Sequence, residues 1–146
     1  MGKKIVVSAC LMGRNCKYNG GNNYNKQLAE MLKDKEVIEV CPEVAAGMPV
    51  PRPAVEILNS RIVRADGSDW DAVYRKGVEV VLKQLEDEDI EYAVLQSRSP
   101  TCGVKEIYDG TFSKTRVKGM GILAEALFDK GIRLVDVEDI ELNTEI

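Results

Sequence analysis

The 146 residues contain no histidine. Without it there is no Cys–His or Ser–His nucleophile pair, no imidazole metal ligand and no histidine acid–base catalysis. Aromatic residues are scarce at 5%, with a single tryptophan. No apolar run approaches the roughly 20 residues that a bilayer crossing needs, so no membrane span is expected. A formal net charge of −4 lacks the concentrated basic face that broad nucleic-acid binding requires. Lys3-Lys4 followed by residues 5–12 imitates a short signal peptide. That run is too brief, however, and gives way to the polar Gly13 and Arg14. Val6 stands where N-myristoylation needs Ser or Thr. The chain therefore reads as cytoplasmic, where disulfides are rare. Carboxylates, hydroxyls, thiols, cations or a bound metal are left to do any chemistry.

What is present is ordinary for a folded protein: 45% hydrophobic and 30% charged residues, in a length that suits one domain over residues 1–146. Residues 3–9 (KKIVVSA) form a short β-rich apolar run, ahead of a Gly/Asn-rich loop over 13–25. Leu28, Met31 and Leu32 take helical spacing in a segment ending near Lys35. A second strand, 36–40, runs directly into Cys41-Pro42-Glu43. The segment 46–53 is rich in Gly and Pro and irregular. Residues 55–58 and 61–65 flank Asn59-Ser60 as a hairpin. Ser68 or Asp69 then caps a long helix whose buried face carries Trp70, Val73, Tyr74, Gly77, Val78, Val81 and Leu85. A third strand, 92–96, leads into residues 97–103, and a loop carrying Lys114, Arg116 and Lys118 follows. A helix over 119–130 and a fourth strand over 132–137 complete the pattern. The order βα(ββ)αβαβ predicts an α/β fold: a mostly parallel, Rossmann-like sheet flanked by helices, with a small β-hairpin insertion.

Cys10, Cys41 and Cys102 each follow a different strand. In an open parallel sheet the carboxyl ends of the strands share one edge, where ligands bind, so these thiols are expected to be neighbours. Cys16 lies on the first loop and is positioned to join them. A lone free cysteine is ordinarily core filler; three at successive strand ends, flanked by Gly, Pro and polar residues, fit that reading less well. Thiolate donors favour zinc or an iron–sulfur cluster over magnesium or calcium. A structural zinc takes four closed ligands, whereas a three-cysteine cluster leaves one iron open. Glu43 and Ser99 share the same edge as a base and a hydroxyl, although either residue alone is usually a cap or turn residue. Arg52, held between Pro51 and Pro53, is suited to an anion or a planar carbonyl, or to a structural ion pair. Tyr18 and Tyr24 are candidates to stack on a base or simply to pack. Lys114, Arg116 and Lys118 with Gly119-Met120-Gly121 resemble either a phosphate cradle at a helix start or an exposed charged loop.

Taken together, SACLMGRNCKYNG (8–20), CPEVAAGMPVPRPAVEI (41–57) and SRSPTCG (97–103) resemble the thiouracil desulfidase family. YDGTF (108–112) and the GMG before the last helix extend the likeness over nearly the whole chain. Thr101 stands where Ser is frequent in the family, and Met120 where Asp is frequent. The resemblance implies a [4Fe-4S] cluster held by Cys10, Cys41 and Cys102, with the fourth iron open to substrate sulfur. It also implies Glu43 and Ser99 as the catalytic pair, while Cys16 is left without a coordinating role. Arg52 and Tyr18 are the candidate substrate contacts. The implied activity is non-redox, hydrolytic C–S cleavage of a small thiolated pyrimidine, with cluster-assembly machinery as a partner. Other readings are a tRNA 4-thiouridine desulfidase acting on thiolated tRNA, an iron–sulfur redox sensor or electron carrier, and a zinc-stabilised interaction module.

Overall fold

The computed structural model describes residues 3–143. Its centre is a four-stranded sheet in the order β2-β1-β5-β8. The strands are β1 (Lys4–Ser8), β2 (Val37–Val40), β5 (Ile90–Leu95) and β8 (Leu134–Asp136). All three pairings are parallel, with Ile5 opposite Val37 and Tyr92, and Val94 opposite Val135. Side chains alternate across a strand, so each strand supplies both layers of the core. Val6, Ala93 and Leu95 pack with Tyr74, Val78 and Val81 of α3 (Asp71–Leu85) and Leu123 and Leu127 of α4 (Ile122–Asp129). Ile5, Val7, Tyr92 and Val94 pack on the opposite face with Leu28 and Leu32 of α1 (Lys26–Leu32), and with Ile140. A parallel sheet covered on both faces reads as continuous apolar runs, as these strands do.

Two hairpins accompany the sheet. The expected one, β3 (Val55–Leu58) and β4 (Arg61–Arg64), pairs antiparallel. Its turn residues Asn59 and Ser60 both have positive φ, 51° and 65°, as a type I′ turn demands. The second, β6 (Glu106–Tyr108) and β7 (Arg116–Lys118), forms where the sequence alone suggested a loop. Its strands are too short and too charged to show a pattern. A further short helix, α2 (Pro42–Ala45), follows Cys41 with Pro42 in its first turn, the position proline favours. The long helix begins at Asp71, beyond the expected cap. Asp69 Oδ1 accepts the Asp71 N–H at 2.9 Å, while Trp70 sits at the boundary under the Arg64 guanidinium, 3.6 Å from the ring centre.

The chain order reverses at β1. It leaves through α1 to β2 on one side and returns through α3 to β5 on the other. In open α/β sheets such a switch opens a crevice at the carboxyl ends of the strands. No helix among the described residues is long and apolar enough to cross a membrane.

Candidate active site

A cavity of about 460 Å³ lies over this switch, and the residues that the family resemblance marks line it: Cys10, Cys41, Cys102, Glu43, Ser99, Arg52 and Tyr18. Cys16 lines it as well. Tyr24, the other aromatic considered, does not; it packs toward Gly13.

Each thiol is delivered by a different local device. β1 ends in a 3-10 turn, Ala9–Met12, which places Cys10 one residue past the strand end. Asn23 Nδ2 reaches Cys10 Sγ at 3.6 Å, and the Asn23 N–H donates to the Cys10 carbonyl at 2.9 Å. Cys41 is the N-cap of α2 and turns its Sγ to Glu43 Oε1 at 3.7 Å. Cys102 lies in the loop after β5, buried, with Thr101 Oγ1 at 3.7 Å from its sulfur. All four cysteines are free, and Cys16 hydrogen-bonds through its side chain with both Cys10 and Cys41. That contact with Cys16 lowers the Cys10 thiol, against the opposing effect of burial. The Cys16 thiol is pushed up to about 11, chiefly by its bond with Cys10. Cys41 is raised by its bond with Cys16, then by burial and the Glu43 charge. Burial, with Glu43 adding to it, takes Cys102 up to about 12. Among the described residues no group of three or more cysteine, aspartate and glutamate side chains is placed to hold a metal ion.

The loop after β5 is fixed at both ends. Ser8 Oγ accepts the Gln96 N–H at 3.0 Å, tying the ends of β1 and β5 together. Ser97 Oγ donates to the buried Asp136 at 2.7 Å. Farther on, the first amides of α4 close on the loop's carbonyls: Ile122 N–H on Pro100 at 3.0 Å and Leu123 N–H on Thr101 at 2.8 Å. A Cβ on Gly121 would meet the Thr101 carbonyl carbon at 2.4 Å, so this approach requires glycine. The GMG segment is therefore no phosphate cradle, because its helix amides already bond the site loop. Of the basic run, only Lys114 borders the cavity; Arg116 lies 3.8 Å from Glu106 across the second hairpin.

Glu43, only 9% exposed, is the acid of the site. Burial raises its carboxyl above the usual range, while Arg52 opposes the shift. Its oxygens face Thr101 Oγ1 at 3.2 and 3.4 Å, and Thr101 Oγ1 in turn lies 3.0 Å from Ser99 Oγ. Thr101 was missed as a functional residue in the sequence, where it was noted only for standing where Ser is frequent in the family. Arg52 donates to the carbonyls of Cys16 at 2.8 Å and Pro49 at 3.3 Å, and its N–H donates to Tyr18 O at 2.7 Å. It thereby pins the Tyr18 segment to the cavity wall and leaves the Tyr18 ring 49% exposed at the rim. Tyr74 closes the floor, its hydroxyl pushed up to about 12 by burial.

An α/β protein with free thiols, a buried carboxylate and two hydroxyls around one strand-end cavity has the form of a small cofactor-dependent enzyme. The profile of the 2-thiouracil desulfurase family matches residues 5–139, and the chain belongs to that family. It is 30% identical to the YbbK protein of Bacillus subtilis (strain 168), across 93% of this chain and 97% of that one. It is also similar to the solved structure of the [4Fe-4S]-dependent thiouracil desulfidase TudS. That match has a TM-score of 0.88 and 32% identity, covering 95% of this chain and 93% of the other.

Proposed function

We propose that this chain is a single thiouracil-desulfidase-like domain that removes sulfur hydrolytically from a small thiolated pyrimidine. The observation that carries the reading is the meeting of Cys10, Cys41 and Cys102 with Glu43 and Ser99 around one cavity. The donor set fits an iron–sulfur cluster: soft thiols, not oxidised to disulfides, presented from three separate strand ends. A cluster places each thiolate on its own iron, so its ligands need not crowd one point as they do around a single ion. Cys10, Cys41 and Cys102 would hold a [4Fe-4S] cluster, with Cys16 beside two of them. When bound, such a cluster supplies an open, Lewis-acidic iron for the substrate's sulfur.

The remaining chemistry belongs to the chain's own groups. Tyr18 offers its exposed ring to a flat pyrimidine, and Arg52 holds that wall in place beside Glu43. Glu43 acts as the general base toward water, which Ser99 helps to position through Thr101 and Glu43. Water adds to the thiocarbonyl carbon, and the C–S bond then breaks with its electron pair leaving on sulfur. A proton returned from Glu43 accompanies it. Water and thiopyrimidine thus give the oxo-pyrimidine and hydrogen sulfide, with no net electron transfer.

Anaerobic reconstitution tests this directly. The loaded protein is expected to contain iron and acid-labile sulfide and to release sulfide from thiouracil with no electron donor present. Zinc alone, or an absolute need for an electron donor, would sink the proposal in favour of an interaction module or a redox carrier. Parallel assays on thiouridine and thiolated tRNA separate the free-pyrimidine reading from the tRNA reading, which predicts turnover only on the polymer.

A further inference from the structure

We propose that Thr101 is a positioning residue, holding the Glu43 carboxylate in line with the Ser99 hydroxyl. The inference deepens the hydrolytic reading above and rests on it. Its basis is an accounting of protons. Ser99 Oγ accepts the Thr101 N–H at 3.1 Å and the Cys102 N–H at 3.0 Å. A hydroxyl has two lone pairs and one proton, so both acceptor positions of Ser99 are filled. Its proton is then the one lying between Ser99 Oγ and Thr101 Oγ1, 3.0 Å apart. Thr101 accepts there and turns its own proton to Glu43, whose oxygens lie at 3.2 and 3.4 Å. The three groups form a line with one polarity: Ser99 to Thr101 to Glu43.

That polarity has a chemical consequence. With both Ser99 lone pairs taken by amides, Ser99 serves as an anchor: it fixes Thr101, and the Thr101 proton fixes the Glu43 carboxylate. Glu43 itself takes the proton from the attacking water and returns it to the departing sulfur. Thr101 is 1% exposed, so bulk water does not substitute for it. Its backbone is also fixed, because its carbonyl receives Leu123 N–H at 2.8 Å and Ala124 N–H at 3.1 Å. Among the described residues, no closer hydroxyl link between Ser99 and Glu43 is present.

The test uses Thr101→Val, which keeps the branched shape without the hydroxyl, and Thr101→Ser, which keeps the hydroxyl. Both are reconstituted anaerobically beside the parent and assayed for iron, acid-labile sulfide, kcat and KM with thiouracil. Thr101→Val is expected to load iron and sulfide like the parent and to keep KM within about threefold. Its kcat is expected to fall about 100-fold, the scale that misplacing a catalytic group by about 1 Å costs. Thr101→Ser should stay within about fivefold of the parent, and adding Thr101→Val to Glu43→Gln should cost almost nothing more, as for groups acting as one unit. A near-parental kcat in Thr101→Val overturns the positioning role, as does a full additive loss in the double variant. Loss of iron from Thr101→Val overturns it too, because Thr101 would then serve the metal site. A parent that loads its cluster but releases no sulfide removes the hydrolytic reading itself, and the positioning role with it.

Discussion

Glu43 lies where burial works against its charge. Burial raises its carboxyl, and the Arg52 charge offsets part of that rise. Glu43→Gln keeps the size and removes the base. Turnover is expected to fall by about 10²–10⁴-fold, with the visible absorption of the loaded protein unchanged; retained activity would refute the assignment. Arg52 leads to a different expectation. The sequence suggested an anion or carbonyl grip or a structural ion pair; in the structure the guanidinium donates to the backbone carbonyls of Cys16 and Pro49. Arg52→Ala leaves those carbonyls without their donor and should destabilise the metal-free protein by about 1–3 kcal/mol, read as a lower urea midpoint. The three cysteines and Glu43 were legible because each stands at the end of a visible apolar run. Thr101 was not legible, because its role depends on Glu43 lying 58 residues away in the chain.

Two elements meet so closely that glycine decides the contact. A Cβ on Gly77 of α3 would lie 2.0 Å from the Pro42 carbonyl oxygen in α2. By helix propensity alone, Gly77→Ala would stabilise by about 1 kcal/mol. The overlap reverses the sign, since overpacking of this kind costs about 1–3 kcal/mol or more. Gly77→Ala should therefore lower the melting temperature and displace the turn that carries Cys41 and Glu43, reducing sulfide release as well. A raised melting temperature would show that α2 yields freely. The buried face of α3 was readable from its spacing, and Tyr74, Val78, Val81 and Leu85 all lie in the core. The partner of Gly77 was not readable, because a four-residue helix leaves no periodicity to detect. The second hairpin escaped for a similar reason: β7 is three exposed residues, Arg-Val-Lys.

At the scale of the molecule, both core layers close without the metal site. Of the four cysteines only Cys102 is buried in the core; the others are partly exposed at the sheet edge. Each fully buried side chain such as Leu123 or Leu127 contributes about 1.5–3 kcal/mol, and of the thiols only Cys102 is buried among them, with Cys10 packed against the edge of the other layer. The iron-free chain is thus expected to be folded, with the far-UV circular dichroism of the loaded form. Loading should raise the melting temperature through preferential binding to the folded state. An iron-free chain that is unfolded would place this protein with domains that depend on a metal to fold. The parallel α/β class was evident in the alternation of apolar runs. The order β2-β1-β5-β8 was not, because sequence shows which strands exist but not which side of β1 each one takes.

That strand order also sets a timetable. β1 leaves the ribosome first, yet it is an interior strand and stays unpaired on one side until β5 is made. The thiols appear in the same staggered way, with 92 residues separating Cys10 from Cys102 (102 − 10). At about 5–20 residues per second, that interval is roughly 5–20 seconds of translation. Cys10 and Cys41 are therefore finished well before the third thiol exists, and α4, whose amides brace the Cys102 loop, comes later still. On the cluster reading, a nascent chain has nowhere to put iron. On that reading loading waits until α4 has been made, and truncations ahead of α4 should emerge without metal.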